Sequence, residues 1–592
     1  MADVTQQLKD TLLTALVAAF GEAYADADPL LNPATNPKFG DYQANLAMPL
    51  GKQLGKPPRA VAQAVVDQLK LGGLIEKVEI AGPGFINLHL SNAAIADAAL
   101  AILQDDRLGV APLDQPQTVV VDYSSPNVAK EMHVGHLRST VIGDAIARVL
   151  TFQGHDVIRQ NHVGDWGTQF GMLIAYLLET MGEDIAKARR GEAEGDRFEI
   201  SDFNRFYKES KQWFDASADN QKIARDFVVR LQSGDEQIVS MWKFLRTLSQ
   251  EYFHDIYKRM GVLLEPGDIR GESFYNDKLP GVIDQLKQDG VLQVSQGAGV
   301  VFVDGFSDKD GNQLPMIVQK SDGGYLYATT DLAAIRYRVN DLGAARIIYV
   351  TDARQSQHFA MAFKAAADAG WLANGATLEH VPFGTVMGED GKPFKTRDGD
   401  VVRLVDLIDE AESRAIEVCK AKNPELAGDE AEQVGKIVGL GSLKYADLSS
   451  DRIKDYKFSW DRMLALDGNT APYLINAYVR VHGIFRKGEI DFASFTCDHV
   501  HVEDPAEKAL VLKLMQFGST VDSVADSLEP HRLCNYLYEL ASGFHKFFES
   551  CPVLRSDVDP DVKQGRLALC KLVALTLERG LGLLGIGVVE RM

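Results

Sequence analysis

The stretch TVVVDYSSPNVAKEMHVGHLRST, residues 118–140, constrains the fold more than any other part of the chain. It opens on an unbroken β-branched apolar run that ends at Asp122, the signature of a strand buried on both faces of a parallel sheet. A polar loop follows, in which Pro126 restricts the backbone, and a helix is expected over 131–153. The next apolar stretch, HDVIRQNHVGD, reads as a second strand. Strand, loop, helix and strand in that order make the crossover unit of a Rossmann-like parallel sheet.

The loop carries chemistry as well as topology. A strand that runs through a loop into a helix presents free backbone N–H groups and the positive end of a dipole, which is an anion site. His133 and His136 are spaced i, i+3 and share one face of the first turns. Gly135 between them lets a bulky ligand approach the backbone. Ser124, Ser125 and Asn127 add hydroxyl and amide groups. Together they suit a triphosphate, with imidazoles touching oxygens that gain charge in a displacement at phosphorus. H-x-G-H alone could be two incidental surface histidines; the strand before it and the SSPN loop argue for a site.

Around this unit the chain divides into four segments. Residues 1–112 read as an α+β unit, with helical periodicity over 5–24, 58–70 and 93–104 and two strands joined at Pro83-Gly84. The apolar N-terminal stretch has acids on both sides and no basic region before it, so it reads as an amphipathic helix rather than a signal peptide. Residues 113–400 form the parallel-sheet segment, interrupted by a charged helical insertion at about 180–260. In its second half VLQVSQ, GVVFVDGF, MIVQKSDGGYLYATTD and ARIIYVTD read as returning strands. Residues 401–465 read as connecting helices and 466–592 as an all-α bundle. The fold class is therefore multi-domain α/β: an N-terminal α+β unit, a Rossmann-like sheet with a helical insertion, and a C-terminal helical bundle.

The formal charge of −21 argues against a general DNA binder but does not exclude a nucleic-acid substrate, since a local basic face can lie on an acidic chain that then releases its product readily. No apolar run is long enough to span a membrane. Cys419, Cys497, Cys534, Cys551 and Cys570 are scattered without a C-x-x-C pair, as in a reducing cytoplasm. CDHVH (497–501) could place Cys497, His499 and His501 on one side of a strand, but no second ligand cluster follows, and it reads as a solvated connector with no metal.

VDYSSPNVAKEMHVGHLRST resembles the HIGH signature of class I aminoacyl-tRNA synthetases in the form found in arginyl-tRNA synthetases. FGDYQAN (39–45), KVEIAGPGFINLHL (77–90), NHVGDWGTQFG (161–171), QKSDGGYLYATTD (319–331), GNTAPYLINAYVR (468–480) and the closing GVVERM are similar to the same family, so the resemblance spans the chain. It implies activation of L-arginine by ATP with Mg2+, release of pyrophosphate, and transfer of the arginyl group to the terminal adenosine of arginine tRNA. A cytoplasmic monomer without a tightly bound cofactor is expected. The resemblance puts His133, Gly135 and His136 at the ATP phosphates, and Asp122, Asn127, His133, Tyr327, Asp331 and Gln355 around the arginine. A guanidinium is planar, always charged and carries five donors, so carboxylates in its pocket are physically required. On the residues alone, Asp331 reads equally well as an N-cap of the helix after it.

The second class I signature, a KMSK loop, corresponds to GEDGKPFKTRDGD (388–400), with Phe394-Lys395-Thr396-Arg397 in the motif position. Phenylalanine and arginine replace the two lysines. Lys392, Lys395 or Arg397 can still supply a cation near the leaving pyrophosphate, Lys395 and Arg397 with a catalytic role. The resemblance assigns the compensating role to Lys130. A lysine at a helix start sits against the dipole, which favours a bound anion there. For tRNA the candidates are Asn469, Tyr473, Tyr478, Arg480 and Arg486, with Lys487, Tyr536, Tyr538, Phe544 and His545 behind them. The GNTAPY loop is the best of these, because most aromatics at helical spacing are core. The N-terminal unit is expected at the tRNA corner near the D-loop. Competing readings are a shorter H-x-G-H nucleotidyltransferase, another class I synthetase, and a non-catalytic tRNA-binding relative.

Overall fold

In a computed structural model, residues 4–34, 36–167, 169–189, 203–307, 309–394 and 402–592 are described. The N-terminal unit comprises α1 (Val4–Phe20), β1 (Leu31–Pro33), β2 (Tyr42–Ala44), α2 (Ala47–Leu54), α3 (Pro58–Val66), β3 (Ile75–Ala81), β4 (Phe85–Leu90) and α4 (Asn92–Leu103). Its antiparallel sheet has the order β1-β2-β4-β3. Leu8, Leu12 and Leu16 of α1 are buried at the spacing of one helix face. FGDYQAN runs from a bend at Gly40-Asp41 into β2. The Asp41 carboxylate accepts from the Leu90 amide at 2.7 Å and pairs at 2.9 Å with Lys508 of the distant bundle, tying the two units together.

The central sheet is parallel, in the order β11-β10-β5-β6, built from β5 (Thr118–Asp122), β6 (Asp156–Gln160), β10 (Arg346–Asp352) and β11 (Thr377–Phe383). Val119 and Val121 pack into the core on one face and Val120 into the core on the other, which accounts for the unbroken apolar run. One face receives α5 (Val134–Gln153), and the helical insertion α6 (Gln169–Arg189), α7 (Phe203–Ala216), α8 (Ala218–Gln232) and α9 (Glu236–Met260) shares the core on that side. The other receives α10 (Leu279–Gln288), α11 (Tyr327–Arg336) and α12 (Ser356–Asp368). The crossover from β5 leads to β6 on one side, and that from β10 leads to β11 on the other. The order therefore reverses between β5 and β10, and their C-terminal ends open a crevice.

Two expectations for the second half of this unit need correction. β7 (Leu292–Ser295), β8 (Ala298–Ser307) and β9 (Gln313–Gln319) do not join the parallel sheet; they form a separate antiparallel one. The strand read through GGYLYAT is the start of α11. β9 ends at Gln319, and a turn in which the Lys320 amide donates to the Gly324 carbonyl reverses the chain. The alternation Tyr-Leu-Tyr is only three residues long, and the helical burial of Ala328, Leu332, Ala333 and Ile335 decides the element.

The chain ends in helices: α13 (Leu404–Lys422), α14 (Gly428–Leu448), α15 (Trp460–Met463), α16 (Ala471–Lys487), α17 (Pro505–Leu514), α18 (Phe517–Ser527), α19 (His531–Ser550) and α20 (Pro560–Leu583). They wrap the side of α5 away from the sheet. Arg138 of α5 meets Asp447 of α14 at 3.1 Å with both side chains buried, and also donates to the Lys454 carbonyl. Lys454 precedes the short strand β13 (Tyr456–Lys457), which pairs in parallel with β12 (Val386–Met387) at the root of the 388–400 segment. Among the described residues no helix is long and apolar enough to cross a membrane, and no three His, Cys, Asp or Glu side chains cluster as metal ligands. CDHVH is irregular rather than extended, and the Cys497 thiol donates to the His499 carbonyl at 2.9 Å.

Candidate active site

The loop after β5 is held in a costly shape. Ser124, Ser125 and Ala129 have φ of 72°, 49° and 60°, left-handed values that cost non-glycine residues about 1–3 kcal/mol each. Several elements hold them there. The Ser124 amide donates to Ser139 Oγ at 2.9 Å, and Ser139 Oγ donates to the Val350 carbonyl of β10. The Ser125 amide donates to Asn161 Oδ1 at 2.9 Å, and Asn161 Nδ2 to the Tyr257 hydroxyl, which also meets Ser124 Oγ at 2.7 Å. From α9, Ser249 Oγ accepts the Ala129 amide. NHVGDWG lies alongside, with the Val128 amide donating to the Gly164 carbonyl. A Cβ on Gly164 would meet Asn127 Oδ1 at 2.2 Å, so only glycine leaves room for that exposed amide.

His133 is the N-cap of α5, which begins at Val134 rather than at 131. Its Nδ1 accepts from the Gly135 amide at 3.1 Å, and His136 Nδ1 accepts from the His133 amide at 3.0 Å. The two histidines thus make a reciprocal capping box, with ring centroids 3.9 Å apart. Gly135 serves this packing: a Cβ there would lie 2.9 Å from His133 Cε1, so the vacated space is taken by the imidazole. Accepting at Nδ1 puts the proton of each neutral ring on Nε2. Burial, helped by the neighbouring His133 and Lys130 charges, lowers the His136 pKa to about 3. Burial, then Lys130 and Arg354, also lower that of His133. Both rings are therefore uncharged donors at neutral pH. The nearby cations are Lys130, whose Nζ lies 4.5 Å from the centre of the Tyr207 ring, and the exposed Arg354 beyond β10.

The carboxylates lie on the other side of the crevice. Asp331 is in the second turn of α11, so it is neither at a strand end nor an N-cap. Its Oδ2 meets His358 Nε2 of α12 at 2.6 Å. The Tyr327 ring lies 4.7 Å from that of His358, tilted by 55°, and is 64% exposed, so it is accessible to a ligand. Gln355 is exposed just before α12. Asp122 differs from expectation: it is buried and pairs at 2.6 Å with the fully buried Arg338. That guanidinium also donates to Gln160 at 2.7 Å, from a π-helical turn over Tyr337–Asp341. Asp122 enters the site already neutralised, so it offers no free charge to a substrate cation.

Glu272, His358 and Arg338 were missed in the sequence. Burial first, then Asp165 and Asp331, raise the Glu272 carboxyl pKa to about 7, which places it within electrostatic reach of Asp331. Asp165 of NHVGDWG holds the adjacent turn by accepting from the Ser273 amide and hydroxyl at 2.8 and 2.7 Å. No periodicity marks Glu272; only tertiary packing brings its segment to α11.

Of the KMSK-like segment, Lys392 is exposed in a turn, and Lys395, Thr396 and Arg397 lie outside the described residues. Phe394 packs against Phe458 at 4.8 Å. Beyond the segment the chain returns to the histidines: the Val134 amide donates to the Val402 carbonyl and the Leu404 amide to the Met132 carbonyl. In the bundle, Asn469 accepts from the Tyr445 hydroxyl at 2.6 Å and donates to Asn535. The half-buried Tyr473 meets His545, Arg480 lies over Phe548, and Arg486 donates to the Glu590 carbonyl. Tyr478, Tyr536 and Phe544 are buried core side chains, so the stacking role read for them is withdrawn.

Three family descriptions match the chain: the arginyl-tRNA synthetase N-terminal domain over 6–90, the class I (R) tRNA synthetase catalytic domain over 98–460, and the DALR anticodon-binding domain over 474–592. Curated arginine–tRNA ligases from a Synechococcus species and from Cellvibrio japonicus are 52% and 49% identical, covering 100% and 99% of this chain and 100% of each relative. The arginyl-tRNA synthetase structure from Plasmodium falciparum superposes with a TM-score of 0.85 at 30% identity, covering 100% of both chains. That from Thermus thermophilus gives 0.79 at 25% identity, covering 99% of this chain and 100% of the other. Matched over its whole length by relatives of one kind, with strand, capping histidines and carboxylates around one crevice, the chain belongs to the arginyl-tRNA synthetase family of class I.

Proposed function

We propose that this chain activates L-arginine with ATP and passes the arginyl group to the 3′-terminal adenosine of arginine tRNA. The observation that carries this reading is a single crevice with two kinds of wall. Neutral imidazole donors and the Lys130 ammonium lie at the start of α5, and carboxylates that can face a guanidinium lie by α11. In the activation step the arginine carboxylate attacks the α-phosphate and pyrophosphate leaves. The Nε2–H groups of His133 and His136, with Lys130, donate to the phosphate oxygens that gain charge. Asp331 and Glu272 hold the guanidinium, and Tyr327 covers it. Asn127 and Gln355 are left for the amino acid backbone. The described donors around the phosphates are imidazoles, an ammonium and a guanidinium, which do not suit Mg2+; the ion is taken to arrive on ATP. Asn469, Tyr473, Arg480 and Arg486 are the proposed tRNA contacts, with the N-terminal unit at the tRNA corner. Free cysteines, four of them buried, support a cytoplasmic setting, and the chain is proposed to act as a monomer. Full-length similarity leaves no support for a small nucleotidyltransferase.

ATP–pyrophosphate exchange measured with each amino acid, with and without cognate tRNA, tests the reading. Exchange is expected with arginine in the presence of arginine tRNA, and its absence under those conditions sinks the proposal. The Glu272 carboxyl adds a pH signature. With its pKa raised to about 7, it is ionised and attracts the guanidinium above that pH, and is neutral below it. The KM for arginine is therefore flat above about pH 8, about doubled at pH 7 and raised about tenfold by pH 6, as one proton competes with the ligand. Glu272→Gln raises KM and flattens this limb. A limb that persists in the variant assigns it to another group.

A further inference from the structure

Tyr207 belongs to the helical insertion, far in sequence from the histidines, yet its ring lies under the Lys130 ammonium at 4.5 Å. Lys130 stands just before α5, where the helix dipole repels a cation, and its charge bears on both His133 and His136. Among the described residues no carboxylate pairs with it; the Tyr207 ring face is the contact that orients it. A carboxylate there would neutralise the ammonium and compete with phosphate. A π face attracts the cation and aims it while leaving its charge available. Tyr207 is itself well placed for this. The next residue toward the N-terminus, Phe206, is buried and packs on Tyr176 of α6, while the Tyr176 hydroxyl donates to Glu209 one turn further along α7. The ring position thus reports how α7 is docked on α6.

We propose that Tyr207 is the positioning residue for Lys130, through which the helical insertion sets the rate of arginine activation. This rests on Lys130 acting at the ATP phosphates, and the test separates the two ideas. ATP–pyrophosphate exchange is measured on the full chain with arginine tRNA for Tyr207→Leu, Tyr207→Phe, Lys130→Ala and the double variant Tyr207→Leu/Lys130→Ala. Tyr207→Leu is expected to lower kcat about five- to twentyfold, in line with the loss of one cation–π contact, while leaving the KM for arginine within twofold. Tyr207→Phe keeps the ring face and rescues the rate. In the Lys130→Ala background, Tyr207→Leu adds less than a twofold loss, because the side chain it positions is gone. Wild-type kcat in Tyr207→Leu overturns the proposal, as does an equal loss in both backgrounds, which is what a merely structural role produces. If Lys130→Ala itself exchanges at the wild-type rate, the role of Lys130 fails and takes this inference with it.

Discussion

Asp331→Asn is expected to raise the KM for arginine by two to three orders of magnitude while the protein stays folded. The substitution keeps the size of the side chain and its ability to meet His358 Nε2, now 2.6 Å away, but removes the charge that balances a guanidinium in a half-buried crevice. Losing one partner of a desolvated charge pair costs about 2–5 kcal/mol, and about 1.4 kcal/mol is tenfold in affinity. Asp122 cannot compensate, because Arg338 already holds it at 2.6 Å. Glu272 can do so only in part, since it is half protonated near neutral pH. The kcat of pyrophosphate exchange at saturating arginine should fall much less than kcat/KM. A KM within threefold of wild type would remove Asp331 from the pocket.

The second large effect belongs to His136. His136→Ala deletes an uncharged donor that we propose acts on the phosphates, and mutants lacking one such donor lose about 10²–10³ in kcat. It also opens the capping box of α5, which costs about 1 kcal/mol of stability. The melting temperature and the exchange rate are therefore measured together, on protein shown to be folded. Because the His136 pKa lies near 3, its donor role is unchanged from pH 8 down to about 5. The acid limb in wild type should follow Glu272 in KM and leave kcat flat. A kcat within fivefold of wild type in the folded variant would mean that His136 is only a cap.

The sequence reveals the parts of this site that are local. A buried strand, a polar loop and a helix start are contiguous, so the anion site at His133 and His136 can be argued from residues 118–140 alone. Their capping role is also local, but imidazole is an unusual N-cap, and spacing alone does not say which ring nitrogen faces inward. Asp331 can be picked out as a residue, but its element is misread because a three-residue alternation of Tyr and Leu imitates a strand. Glu272, His358 and Arg338 are not legible. Each comes from a different element, and only the packing of α11, α12 and the insertion around the sheet brings them to the crevice. In the bundle, helical periodicity identifies an apolar face without saying whether an aromatic lies inside it or at its edge. Tyr478 turns in and Tyr473 stays half-open, although both fit the same pattern.

The ion pair between Arg138 and Asp447 bears on what counts as a module in this chain. By its strand and helix pattern the parallel-sheet segment ends near residue 400, yet the catalytic-domain match runs on to residue 460 and takes in α14. The central helix of the sheet segment carries a guanidinium whose counter-charge lies some three hundred residues downstream, with both side chains sealed from water. Cut away from α14, the excised piece would lose the partner of Arg138 and uncover the face of α5 on which these helices pack. The unit that folds around the crevice thus includes the connecting helix α14, and a transplantable piece would have to carry it.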